Sequence, residues 1–187
     1  ADARRGPVRL TNSAFVIDAA DLASRLGLGS FWMVNDFEAL AWAIPTLAAQ
    51  DLDRIGPVMP SMDANIAVIG PGTGMGCAGL VRNRTGWHTG AGEGGHVTLA
   101  ARTALEREVL AAAAVRADHV SAERLLSGTG LPLLYHAVAM VRGDDAAHRP
   151  APAPALISGA ANDGTDALCV EVMSLFCSLL GGYAGNV

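Results

Sequence analysis

From Gly70 to Gly76 every second residue is glycine (Gly-Pro-Gly-Thr-Gly-Met-Gly). Asn65 to Ile69 ahead of this stretch reads as a short strand, and Cys77 to Arg82 behind it continues extended to a turn signal at Asn83-Arg84-Thr85-Gly86. So dense a run of glycine leaves the backbone free to turn sharply and to approach a ligand closely. Successive amides in such a loop make a concave site for phosphate oxygens, and Thr73 adds a hydroxyl. A tight hairpin without a ligand is the plainer alternative. Four glycines in seven residues, with threonine among them, favour phosphate. The dinucleotide fingerprint fails, because its third glycine would fall at Met75 and a strand, not a helix, follows the loop. The chain has no lysine at all, which excludes a Walker-A phosphate loop and Schiff-base chemistry.

The 187 residues carry a net charge of −5, and aromatics make up only 5%, so nothing marks a nucleic-acid surface. Three cysteines without a C-x-x-C pair argue against a disulfide framework and a structural zinc site. Strands are expected at Pro7–Thr11, Phe31–Val34 and Asn65–Ile69. Helices are expected at Asp18–Leu26, Phe37–Leu47, Thr103–Ala117, Ala122–Leu126 and Pro132–Val141, with Asn162–Thr165 opening a last one. Strands and helices interleave, which makes the class α/β. Gly143 to Pro154, rich in Ala, Pro, Asp and His, is the expected mobile loop. Val172 to Val187 carries no charge, but three glycines break it and it is short for a membrane span, so it reads as a buried helix. Ala1 to Gly6 lacks the pattern of a signal peptide, and the uncapped apolar finish suggests a piece of a longer protein.

Asp36 stands where an apolar run stops and a helix begins. An N-cap explains it by itself; the functional alternative is a base that receives the proton of a hydroxyl attacking a phosphoryl group. Glu93 and His96 lie in Gly-Glu-Gly-Gly-His, where three glycines are costly for a mere scaffold and suit a loop that meets a small polar ligand. The carboxylate accepts from two vicinal hydroxyls and the imidazole donates or accepts. No third ligand stands at metal-binding spacing. Glu123, read from its neighbours alone, is a first-turn acid that complements a helix dipole.

The strings LTNSAF (Leu10–Phe15), NDFEALAWAIP (Asn35–Pro45), GPGTGMG (Gly70–Gly76), GEGGHVTLA (Gly92–Ala100) and HVSAERLLSGTGL (His119–Leu131) occur in this order. Together they closely resemble bacterial glucokinase, the ATP-dependent hexokinase-like enzyme of the actin-like, ribonuclease H-like two-lobed sugar-kinase fold. The resemblance implies that Asn35 and Asp36 hold glucose, with Asp36 also the catalytic base for its 6-hydroxyl. It implies that Glu93, His96 and Glu123 bind the other sugar hydroxyls, which replaces the dipole reading of Glu123, and that Gly72, Thr73 and Gly74 meet the transferred phosphate. The implied cofactor is ATP with Mg2+ and no structural metal; the implied setting is a cytoplasmic enzyme of glycolysis, homodimeric at full length.

This chain departs from the family at three places. Phe15 stands where Trp is usual, Thr98 where Asp is common, and Thr129 where Pro is common. The family's initial Asp-x-Gly-Gly-Thr phosphate loop and its C-terminal part are not in this sequence. The chain is therefore expected to be an internal fragment, with residues 1–46 ending the small lobe and 47–187 forming most of the large one. On its own it is expected to be inactive. A Cys-rich zinc loop, the mark of the related sugar kinases and repressors, has no counterpart in Val97–Arg116. The alternatives are a sugar-binding or sugar-sensing module without chemistry, and a kinase for another hexose.

Overall fold

The computed structural model describes residues 7–9, 14–31, 33–58, 61, 64–90 and 92–187. The chain divides into two compact units, Ala1–Ile66 with Gly79–Ala91 and Ala67–Ala78 with Gly92–Val187.

In the first unit, β1 (Val8–Arg9) pairs antiparallel with β2 (Val16–Ile17). Helix α1 (Ala19–Leu26) starts on Asp18, whose carboxylate accepts the amides of Ala20 and Asp21 at 2.9 and 3.1 Å. It stops at Gly27, where a left-handed φ of 65° suits glycine. Helix α2 (Asp36–Ala43) runs into a 3₁₀ turn, Ile44–Thr46, that contains Pro45. Phe31–Val34 is no strand: its described residues, Phe31, Met33 and Val34, form no ladder, and Val34 is half-exposed. A run of four apolar residues has too few neighbours to define a strand without a partner. Of the Pro7–Thr11 expectation, Leu10 and Thr11 lie outside the described residues.

Strands β3 (Ile66–Pro71), β4 (Met75–Asn83) and β5 (Gly86–Gly90) form a sheet in the order β3-β4-β5. The strand–loop–strand expected around the glycines is present, and β5 is a strand the sequence reading passes over. Its short hairpin pairs Asn83 with Gly86 and Gly79 with Gly90, and the Arg82 guanidinium lies 5.4 Å from the Trp87 ring. Within the first unit α2 is tied to β5 by the Thr89 hydroxyl, which donates to the Glu38 carboxylate at 2.5 Å.

The second unit carries the helices α3 (Ala104–Ala114), α4 (Ala122–Leu125), α5 (Leu131–Arg142), α6 (Pro154–Asn162) and α7 (Ala167–Ala184). Their apolar faces meet in one core, where Val109, Leu125, Leu134, Val138, Ile157 and Val172 are fully buried. Each such side chain contributes about 1.5–3 kcal/mol. Among the described residues α7 is the only helix long and apolar enough to cross a membrane, but its buried face packs into this core.

The Gly143–Pro154 segment is built into the fold. Gly143 ends α5 at φ 65°, Asp144 caps a 3₁₀ turn over Asp145–His148, and Arg116 donates to the carbonyl of the buried Ala147 at 3.1 Å. Low complexity here reflects small residues fitted against a helix. Helix α6 was not expected; Asn162 ends it, and the following Asp163–Thr165, turned at Gly164 with φ 66°, is the break before α7 and not the start of that helix.

Candidate active site

Asn35 is the N-cap of α2. Its side-chain oxygen accepts the amides of Phe37 and Glu38 at 2.9 and 3.3 Å. Asp36 is therefore the first helical residue and not the cap. One of its oxygens accepts the Phe37 amide at 2.9 Å, and the residue is exposed at the helix N-terminus. Both residues belong to the first unit.

Gly72, Thr73, Gly74, Glu93, His96 and Glu123 belong to the second unit, where Met75, next to the glycine loop, touches both Glu123 and Gly95. The Met75 amide donates to Glu123 Oε2 at 3.0 Å. On its other side the Met75 carbonyl abuts Gly95, where an added Cβ would lie 2.3 Å from that oxygen. Glu93 precedes a 3₁₀ turn over Gly94–His96, closed by the His96 amide on the Glu93 carbonyl at 2.9 Å. The Glu93 carboxylate and His96 Nδ1 are 3.8 Å apart and both side chains are exposed.

The Glu93–His96 turn reaches α4 through a short antiparallel bridge. Leu99 donates to Val120 at 3.0 Å, Ala122 donates to Val97 at 2.9 Å, and Thr98 pairs with Ser121. Ser121 then caps α4 by accepting the Arg124 amide. Thr98, where the resemblance sets Asp, keeps a polar partner, for its hydroxyl is 3.0 Å from His119 Nε2.

Two explanations drawn from the sequence need correcting. No residue of Gly70–Gly76 has a left-handed φ, so conformational freedom is not why glycine is needed at Gly74. An added Cβ there would lie 2.4 Å from Glu123 Oε2, so close approach is the reason. Likewise Gly94 and Gly95 are packing residues, with the Cys77 side chain and the Met75 carbonyl where their Cβ atoms would be. Of the three glycines around Glu93 and His96, only Gly92 has open space. Glu123 does stand in the first turn of α4, as its neighbours suggest, and its carboxylate also accepts a backbone amide 48 residues away.

The sequence analysis also missed the turn that holds the glycine loop. Gly128 donates to the Gly72 carbonyl at 2.8 Å and the Thr129 hydroxyl donates to the Thr73 carbonyl at 2.8 Å. Ser127 stabilises that turn, donating to the Glu123 carbonyl and accepting from the Gly130 amide. The signal for it is the Ser-Gly-Thr-Gly string. Beneath the Glu93–His96 turn, the Tyr183 hydroxyl is buried beside Cys77, and burial and then that thiol push its pKa upward. Among the described residues no group of three or more His, Cys, Asp or Glu side chains is placed to hold a metal ion.

Comparison with known proteins places these features in context. The family model described as "Glucokinase" matches residues 3–187. The chain is 44% identical to a glucokinase of Chromobacterium violaceum over 96% of its own length and 51% of the relative's. It is 42% identical to a glucokinase of Aromatoleum aromaticum over 96% of its length and 54% of the relative's. The crystal structure of a glucokinase from an Antarctic psychrotroph superposes with a TM-score of 0.86 at 35% identity, covering 97% of this chain and 55% of that one. A Balamuthia mandrillaris glucokinase solved with glucose matches at a TM-score of 0.56 and 22% identity, over 68% of this chain and 37% of that one, a likeness of fold alone. The chain thus spans about half the length of the curated relatives it matches.

Proposed function

The chain belongs to the glucokinase family, and from that premise we propose that the protein transfers the γ-phosphoryl group of ATP to the 6-hydroxyl of glucose. Its α/β fold is that of the actin-like sugar kinases over the part it spans. The observation that carries the reading is the meeting of three distant motifs at Met75: the glycine loop, the Glu93–His96 turn and Glu123.

In this reading Asn35 and Asp36 hold the sugar, and Asp36 accepts the proton of the 6-hydroxyl as it attacks. A loose phosphoryl-transfer transition state asks little of the protein beyond placement and charge stabilisation, so a well-oriented carboxylate suffices. Asn35 serves as the helix cap, which leaves Asp36 one oxygen engaged with Phe37 and one for the substrate. Glu93 and His96 bind sugar hydroxyls. Glu123 gives one oxygen to Met75 and keeps the other for the sugar. Gly72, Thr73 and Gly74 meet the phosphate. Mg2+ enters with the nucleotide. A site that loses buried polar partners with the wrong sugar discriminates strongly.

Kinship also supports a cytoplasmic homodimer, with residues 1–46 assigned to the small lobe and 47–187 to the large one. A coupled nucleotide assay of the whole protein tests the reading. Asp36→Asn should lower turnover by about 10²–10⁴-fold, the range for a positioned proton acceptor. Retention of most of the turnover would remove Asp36 as the base. The rival, a sugar-binding module without chemistry, predicts no product and glucose binding that nucleotide leaves unchanged in calorimetry.

A further inference from the structure

We propose that Thr129 is a positioning residue for the phosphate-facing loop, aiming the amides of Thr73 and Gly74 by holding the carbonyl behind them. The proposal rests on the reading of that loop as a phosphate cradle.

A trans peptide is planar, with its C=O and N–H pointing in opposite directions. The structure has no cis bond among the described residues. The Gly72 carbonyl is taken by the Gly128 amide at 2.8 Å, so the Thr73 amide faces away from the α4–α5 turn. The Thr73 carbonyl is taken by the Thr129 hydroxyl at 2.8 Å, so the Gly74 amide faces away as well. Neither amide donates to a carbonyl among the described residues. The Gly72 amide closes the loop from the other end, onto the Gly74 carbonyl at 2.8 Å. Two consecutive donors are thus presented outward by two consecutive acceptors anchored inward, the arrangement an anion needs.

Thr129 has a single hydroxyl proton to give, and two oxygens are near it. Ser127 Oγ lies 3.2 Å away and the Thr73 carbonyl 2.8 Å away. Ser127 already donates to the Glu123 carbonyl at 2.7 Å, and its oxygen accepts from the Gly130 amide at 2.9 Å. The Thr129 proton therefore goes to Thr73. The tie therefore depends on a side-chain hydroxyl at this position. It differs from the Gly128 tie, which any residue's backbone supplies.

The test uses the whole protein with Thr129→Val, which keeps the shape and removes the donor, and Thr129→Ser, which keeps the donor. With glucose saturating, kcat/KM for MgATP should fall about twofold to tenfold in the Val variant, the factor for one net hydrogen bond. The KM for glucose should stay within about twofold, and Ser should restore the ATP value. Amide hydrogen exchange at Gly72, which needs no turnover, should quicken with Val and recover with Ser. Equal loss in both variants, or unchanged ATP kinetics despite faster exchange, overturns the positioning role. If the wild type makes no glucose 6-phosphate, the kinase reading fails, and exchange alone decides the tie: no change at Gly72 overturns it.

Discussion

Glu106 is buried to 1% exposure at the start of α3, and it is the strongest single test of how the second unit is held together. Its Oε2 accepts the amides of Arg102 and Thr103 at 2.6 and 3.1 Å, and its Oε1 accepts the Ser178 hydroxyl of α7 at 2.9 Å. Thr103 answers by accepting the Glu106 amide at 3.1 Å, which completes a capping box. The Arg102 guanidinium, 3.8 Å from Oε1, also donates to the Ser178 carbonyl at 2.8 Å. Burial alone would raise this carboxyl's pKa, but the hydrogen bonds from Arg102, Ser178 and Thr103 outweigh it and hold the group below its usual range. Hydrogen bonds to a charged acceptor contribute about 1.5–3 kcal/mol each, but Arg102 and Thr103 are exposed enough for water to replace part of the loss. Glu106→Ala should therefore cost about 2–4 kcal/mol in urea denaturation followed by circular dichroism. Glu106→Gln keeps the shape and most acceptors and should cost about 1 kcal/mol. Because the folded pKa lies below the unfolded one, the charge stabilises above the ordinary carboxylate range, and that stability is lost as pH falls through the folded value. The gap between wild type and Gln should close over that acidic window. An Ala variant within about 1 kcal/mol of wild type, or a Gln gap that widens on acidification, would refute the argument.

Gly95→Ala sets a methyl 2.3 Å from the Met75 carbonyl, so the Glu93–His96 turn must shift; the KM for glucose should rise more than tenfold (~1 Å of misplacement is enough) while the KM for ATP moves less, read by steady-state kinetics. Glu123→Ala frees the Met75 amide and would also remove the proposed sugar contact, so it should weaken both substrates, whereas Glu123→Gln should spare ATP; isothermal calorimetry with each ligand separates them. His136 is held below its usual pKa by burial and then by Arg116, so the folded state resists its protonation. Stability should drop as pH falls below the ordinary imidazole range, and His136→Phe should flatten that slope in a thermal-melting series.

How far the sequence was legible depended on how local each cause was. The α1 boundary could be read because Asp18, Gly27 and the acidic first turn act within a few residues. Helix α6 went unseen because its start is Pro154 in an Ala/Pro stretch, and only the burial of Ile157 against the core makes it a helix instead of a linker. Phe31–Val34 failed for the opposite reason: apolar character was present, but a strand also needs a partner chain, which no local pattern encodes.

The same distinction runs through the site. Asn35-Asp36 could be recognised as a polar stop before a helix, yet which of the two is the cap depends on where the helix begins, and the cap is Asn35. The glycines were visible as a motif, but their purpose was set by atoms far along the chain: Glu123 against Gly74, Met75 against Gly95, Cys77 against Gly94. Those contacts give the glycine-rich strings a physical meaning that spacing alone lacked. A side chain at Gly95 would push the Glu93–His96 turn off β4, and one at Gly74 would dislodge the Glu123 carboxylate from the glycine loop. With Glu123 binding the sugar as proposed, its bond to the Met75 amide would link that subsite to the glycine loop. On that reading glucose and nucleotide binding should be coupled, each changing the other's affinity by the same factor. Calorimetric titration of each ligand with and without the other measures that factor. Equal affinities in both orders would show that the Met75 contact carries structure but no communication.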